Sequence, residues 1–366
     1  MNKAGVVDES SIVPSVASPL TSVEVRGREF LVKRDDQWRL RGDLGAGTSG
    51  NKARKLLQFA LSGPTSGAVA SLGGHQSNAM VAIAALCRAR GVRFLYLCKP
   101  VPRWLRKNPC GNYARGLALG VELLPLEGET YRRCILDSEF RSALLQDVVD
   151  DEADRTVTWV PQGAAFSGAE YGVSLLAREL EEAFPDDKNF SVVVPAGTGT
   201  TSLFLARHLA ETGARVFAVP CATDALGLSK QMRRLDAASG KRAIFPEILD
   251  LPPAAGEAKF RFGTPTLRDW RTWSELRQAG LFIDLIYAPH AWDTLLRALG
   301  LPDAHTPTDD VSQENRLNNG PIVYLHCGGL EGVATQLTRY RRAGFPLDED
   351  GDALPSTSAS LVEEKR

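Results

Sequence analysis

The sequence predicts an α/β protein built from two open, mostly parallel sheets flanked by helices. Three observations carry that expectation. Short apolar runs alternate with helical patterns in a βαβαβ order between residues 67 and 125, and such an order forms a parallel sheet with right-handed crossovers. A second, longer alternation runs from 191 to 326, and the break near 150–170 separates two sheets that face one cleft. The loops of unusual composition follow apolar runs, at the carboxyl ends of strands, where open α/β folds bind ligands.

Element by element, the run Gly67-Ala68-Val69-Ala70-Ser71-Leu72 reads as a buried strand. The near-continuous small and apolar residues of 79–90 read as a helix packed on all sides. Strands at 92–98 and 121–125 follow, with a helix over 113–119 between them. In the second series strands read at 191–195, 215–220, 243–245, 282–287 and 322–326, and helices at 202–209, 228–235, 268–278 and 291–299. The first twenty residues, rich in Ser, Val and Pro, read as a loose arm, and the stretch from Asp348 to Arg366 as a disordered tail.

Composition narrows the function classes. With 366 residues, 43% hydrophobic and 24% charged, the chain is of soluble globular type and long enough for two domains. A net charge of -1 without a basic stripe argues against a nucleic-acid partner. Six cysteines and five histidines lack metal-type spacing, which argues against a disulfide framework or a structural metal and for a reducing, cytoplasmic setting. The N-terminal stretch contains Asp8 and Glu9 and no continuous apolar core, unlike a secretory signal. No apolar run reaches the ~18 residues of a spanning helix, so no membrane partner is expected.

Chemistry is concentrated in the loops. Lys52 lies in Ser49-Gly50-Asn51-Lys52-Ala53-Arg54-Lys55, where a glycine-containing loop enters a helix. The cations Arg54 and Lys55 and the helix N-terminus push its pKa down, and a neutral amine can attack a carbonyl. A solvated lysine in a surface helix is the alternative. Gly73-Gly74-His75-Gln76-Ser77-Asn78 has the strand–glycine–helix form and suits a carboxylate, while Ser77 or Asn78 serves equally as a helix cap. Gly197-Thr198-Gly199-Thr200-Thr201 offers backbone N–H groups to a phosphate. It fails as a dinucleotide fingerprint, since Ser202 stands at the third glycine, and as a P-loop, since no Gly-Lys-Ser/Thr follows. Tyr287 and His326-Cys327-Gly328-Gly329 end two further apolar runs.

In order and spacing these motifs resemble the 1-aminocyclopropane-1-carboxylate deaminase and D-cysteine desulfhydrase family of pyridoxal-phosphate enzymes. The resemblance runs from about Leu31 to Tyr340. It implies the tryptophan-synthase-β-like fold (fold type II), with pyridoxal 5'-phosphate in a cleft between two domains. A large cofactor-binding domain would comprise 22–55 and 170–345, a small domain 56–169, and loose termini 1–21 and 346–366. It further implies that Lys52 bonds covalently to the cofactor and that Asn78 meets its phenolic oxygen. The Gly197–Thr201 loop would hold its phosphate, and Cys327 would contact its pyridine nitrogen. Gln76, Ser77, Asn78 and Tyr287 would face a small amino-acid substrate, with Lys52, Ser77 and Tyr287 catalytic. A homodimer is implied in the same way.

The sequence departs from the deaminase pattern at three positions. Ala288 replaces the glutamate that follows the tyrosine, Phe262 matches a second active-site tyrosine, and Cys327 stands where a hydroxyl is common. These changes favour a D-cysteine desulfhydrase-like lyase that releases a 2-oxo acid, ammonia and sulfide. The alternatives are the cyclopropane deaminase itself, a racemase or other lyase on the same fold, and a catalytically degenerate pyridoxal-phosphate-binding protein. A nicotinamide dehydrogenase is more distant.

Overall fold

In the computed structural model, which describes residues 7–45, 47–149, 156–185, 189–253, 259–301, 317 and 320–347, the chain forms two sheets. It opens with a short helix, α1 (Glu9–Ile12), and a hairpin of β1 (Leu20–Val25) and β2 (Arg28–Lys33). Helices α2 (Gly50–Lys55) and α3 (Leu57–Ser62) lead to β3 (Ala68–Leu72), α4 (Asn78–Arg90) and β4 (Arg93–Cys98). Then come α5 (Arg103–Lys107), α6 (Gly111–Ala118), β5 (Val121–Pro125), α7 (Gly128–Leu136), α8 (Ser138–Val148) and β6 (Val157–Trp159). The smaller sheet has the order β5-β4-β3-β6, every pair parallel.

Helix α9 (Ala169–Ala183) returns the chain to the larger sheet. There follow β7 (Ser191–Ala196), α10 (Thr200–His208), β8 (Arg215–Pro220), α11 (Ala225–Ala238) and β9 (Glu247–Ile248). The series ends with α12 (Leu267–Gln278), α13 (Ala288–Ala298), β10 (Ile322–Leu325) and α14 (Val333–Arg342). The sheet order is β1-β2-β10-β7-β8-β9, antiparallel only between β1 and β2.

Both sheets are covered on both faces, which is why their strands read as continuous apolar runs. In the larger sheet Val193, Phe217 and Tyr324 pack toward α12 and α13, while Val192, Val194 and Val323 pack toward α9 and α10. In the smaller sheet Val69, Phe94 and Tyr96 face α4, and Ala70, Leu95 and Leu97 face the side of α7 and α8. Helix α4 is buried nearly all round. Ser77 starts it by accepting the Met80 N–H, and Gly91 ends it in the left-handed region.

Three expectations are corrected. Residues 243–245 form no strand; the edge strand is β9, at Glu247–Ile248. The Asp236 carboxylate draws in the N–H groups of Arg242 and Ala243, and Ala243 takes φ +57, so this run is tied to the end of α11. Residues 282–287 are not a strand either. Asp284 accepts the N–H groups of Ile286, Tyr287 and Ala288, which curls the chain into α13 instead of a ladder. The N-terminal arm is packed from Val7 onward. The Val7 N–H reaches Leu61, Ile12 is buried, and Ser18 joins a charged network with Lys33, Asp35, Arg54 and Glu179. Residues 1–6 and 348–366, the rest of the expected loose termini, lie outside the described residues, and Leu347 just before the latter is buried.

Candidate active site

The carboxyl ends of both sheets open onto one cleft of about 1540 Å³. Lys52, Gln76, Ser77, Asn78, Gly197, Thr198, Gly199, Thr200, Thr201, Tyr287 and Cys327 all line it. Residues up to 275 positions apart in sequence, Lys52 and Cys327, thus meet because parallel strands place their outgoing loops on one side.

Lys52 enters the cleft from the first turn of α2. Gly50 makes this entry feasible: its φ is +65, and a Cβ there would lie 2.5 Å from the Cys327 carbonyl oxygen. The Asn51 N–H donates to that same carbonyl at 3.1 Å, so the lysine loop is stitched to the end of β10. Lys52 Nζ donates to Asn51 Oδ1 at 2.9 Å. Its pKa is lowered, as expected from the sequence, but the cause is different. Burial does most of it, while the Cys327 and Asp284 positions work weakly in the opposite sense. Arg54 has turned away, with its guanidinium on Asp35 and Glu179.

One turn on, Lys55 is a residue that sequence reasoning passed over. It is 3% exposed, lines the cleft, and among the described residues makes no hydrogen bond or ion pair. Burial, and then Lys52 beside it, hold its amine well below the ordinary lysine value. The i, i+3 spacing of Lys52 and Lys55 was the available signal, since such residues share a helix face.

The threonine loop leaves β7 and enters α10. Gly199 takes φ +73, and a Cβ would lie 2.4 Å from Met232 Cγ. No side chain caps α10, so its first N–H groups open toward the cleft. Thr198 and Thr200 pair their hydroxyls at 2.8 Å. A dipole end with free donors is an anion site.

In the loop after β3, Ser77 both caps α4 and lines the cleft. The Gln76 amide is otherwise engaged: its Nε2 donates to Cys110 O at 3.1 Å and its Oε1 accepts the Asn112 N–H at 2.8 Å. It therefore anchors α6 through its oxygen and one of its two Nε2–H donors. His75 stays at the rim, donating from Nε2 to Lys99 O at 2.8 Å.

The opposite wall carries Tyr287 and Cys327. The Tyr287 ring lies 5.3 Å from the Phe262 ring, which places Phe262 at the site. Burial raises the Tyr287 phenol above its ordinary value, so it stays protonated. Burial likewise pushes the Cys327 thiol up to about 12. Ala288 is buried and supplies no carboxylate, and both oxygens of Asp284 accept N–H groups of the α13 start.

No family model matches the sequence, and no curated protein does. Solved structures do match. An ACC deaminase homologue superposes with TM-score 0.67 at 20% identity, covering 90% of this chain and 93% of that one. This is the tryptophan-synthase-β-like fold. A hydrogen sulfide-producing enzyme from Fusobacterium nucleatum shares the fold with TM-score 0.52 at 10% identity, over 88% of this chain and 98% of its own. An L-serine ammonia-lyase from Rhizomucor miehei shares it with TM-score 0.52 at 14% identity, over 89% and 98%. Within this fold the cleft lies between the two sheets, where the lysine, threonine and serine loops converge.

Proposed function

We propose that this protein is a pyridoxal-phosphate-dependent lyase that removes a β-sulfur group from a small amino acid, as a D-cysteine desulfhydrase does. The carrying observation is the buried Lys52 amine, its pKa lowered by burial, in the same cleft as the uncapped start of α10. The residues fit the cofactor. Lys52 suits its aldehyde, the α10 N-terminus and the unpaired Lys55 suit its phosphate, Asn78 suits its phenolic oxygen, and a protonated Cys327 thiol suits a neutral pyridine nitrogen. When bound, pyridoxal phosphate supplies an aldehyde for the substrate amine and an electron sink for the α-carbanion.

The chain's own residues do the rest. Lys52, its amine made easier to deprotonate by burial, takes the α-proton as general base. Tyr287, kept protonated, is suited to deliver a proton to the departing sulfur rather than to abstract one. The α4 N-terminus at Ser77 and Asn78 receives the substrate carboxylate. The α C–H and β C–S bonds break, and water then completes release of the 2-oxo acid, ammonia and sulfide. Without a carboxylate at Ala288 and with Phe262 lacking a hydroxyl, ring opening of a cyclopropane amino acid is the weaker reading. The solved sulfide-producing and ammonia-lyase relatives support a lyase.

The test is reduction of the purified holoenzyme with borohydride, followed by peptide mass spectrometry. The label is expected on Lys52 and lost in Lys52→Ala. A label retained at another lysine overturns the assignment. Sulfide and 2-oxo acid release from D-cysteine, set against L-cysteine and 1-aminocyclopropane-1-carboxylate, then decides the substrate.

A further inference from the structure

A second asparagine stands behind Asn78. Asn112 is the second residue of α6 and is 1% exposed. Its Nδ2 donates twice, to the Gln76 carbonyl oxygen at 3.1 Å and to Asn78 Oδ1 at 2.5 Å. Its backbone N–H goes to Gln76 Oε1 at 2.8 Å, and its own Oδ1 accepts from Arg115 at 3.4 Å.

The directions of these bonds are fixed by chemistry. A backbone carbonyl only accepts, so the Asn112 atom bonded to Gln76 O must be the NH₂ nitrogen. That same nitrogen reaches Asn78, so the Asn78 atom it meets must be the oxygen. Asn78 is thereby compelled to turn its NH₂ the other way. That group stands beside Gly329, where a Cβ would lie 3.0 Å from Nδ2, and both residues line the cleft. Among the described residues Asn78 Nδ2 has no hydrogen-bond partner. A free Asn amide lacks this preference and presents either end.

We propose that Asn112 is a positioning residue that fixes the Asn78 amide so that it offers a donor, not an acceptor, to an anionic oxygen bound in the cleft. Under the function proposed above, on which this rests, that oxygen is the cofactor's phenolate. A donor aimed at it favours the ionised form. The Asn112→Asp carboxylate cannot donate. It would draw the Asn78 NH₂ to itself and leave Asn78 Oδ1 facing the phenolate, repelling it.

The experiment is a pH titration of the visible spectrum of the holoenzyme, with no substrate and no turnover, for the wild type, Asn78→Ala, Asn112→Asp and the double variant. Asn78→Ala is expected to move the spectral midpoint by about one pH unit, the size of one charge-assisted hydrogen bond. Asn112→Asp is expected to move it at least as far, and to add nothing in the Asn78→Ala background. A midpoint unchanged by Asn112→Asp while Asn78→Ala shifts it overturns the positioning role and leaves the cofactor reading standing. An equal Asn112 effect with and without Asn78 overturns it too, since the route would not pass through Asn78. If Asn78→Ala itself shifts nothing, the contact between Asn78 and the cofactor is wrong and the inference falls with it. Asn112→Ser, which keeps a small polar group, serves the same cycle should the Asp variant fold poorly.

Discussion

Replacing Lys55 with Met should stabilise the ligand-free protein and, under the proposed function, weaken the binding of pyridoxal phosphate. Met keeps most of the length of the lysine stem and removes the charge. In the structure Lys55 is 3% exposed and its amine faces no acid, so folding must hold it unprotonated or bury its charge. Its folded pKa lies well below the ordinary 10.5. The unfolded chain therefore binds a proton that the folded chain rejects, and the penalty grows as pH falls from 10.5 toward the lowered folded value. The growth is about 1.4 kcal/mol per pH unit. Lys55→Met removes it. Urea unfolding of the apoprotein in a phosphate-free buffer should show the variant level with the wild type near pH 10.5 and increasingly more stable below. Cofactor affinity should move the other way. Loss of a hydrogen bond to a charged phosphate is worth about 1.5–3 kcal/mol, roughly 10- to 100-fold in Kd. A variant that is less stable at every pH and binds the cofactor unchanged would falsify this account and reduce Lys55 to packing.

Other expectations follow from the same geometry. Arg54→Met strips the partner from Asp35 and Glu179 and should cost about 3–5 kcal/mol in urea unfolding, because two carboxylates stay buried without it; a loss below 1 kcal/mol would sink the idea that this network holds the N-terminal arm. Gly50→Ala forces a Cβ to within 2.5 Å of the Cys327 carbonyl at φ +65, and should lower cofactor affinity as well as stability, by about 1–3 kcal/mol in the latter; full cofactor occupancy would show that the lysine loop tolerates displacement. Tyr287→Phe should reduce kcat by roughly 10²-fold or more with little change in KM. Since burial raises the phenol above its ordinary 10.0, the wild-type kcat profile should show no tyrosine ionisation below that pH, and such a limb would count against Tyr287 as the acid.

Much of the framework was legible because its signals are local. The strands at Ala68–Leu72, Val121–Pro125 and Arg215–Pro220 are short apolar runs between breakers, and α4 is apolar all round, so periodicity and length identify them. The misread elements are those where a side chain overrides the run. Asp236 and Asp284 each bind several backbone N–H groups, and no apolar count reveals that. The N-terminal arm was misread for a related reason: Ser18 is polar, but its partners lie at Lys33, Arg54 and Glu179.

For the candidate site, the sequence alone picked out loops that the fold brings to one cleft. By type and spacing, glycine, hydroxyl and amine groups marked Lys52, Ser77, Asn78 and the Gly197–Thr201 loop as candidates, and all of them line the cleft. Only the tertiary structure decided what each group is able to do. Whether an amine is neutral depends on its burial, so Lys52 owes its lowered pKa to the cleft rather than to the cations beside it in sequence. Whether a polar side chain is free depends on partners from other elements. Gln76 is tied to α6, Lys55 is left alone, and Asn78 is turned by Asn112, 34 positions away. Desolvation and hydrogen-bond satisfaction are properties of the folded neighbourhood, and one dimension of sequence does not contain them.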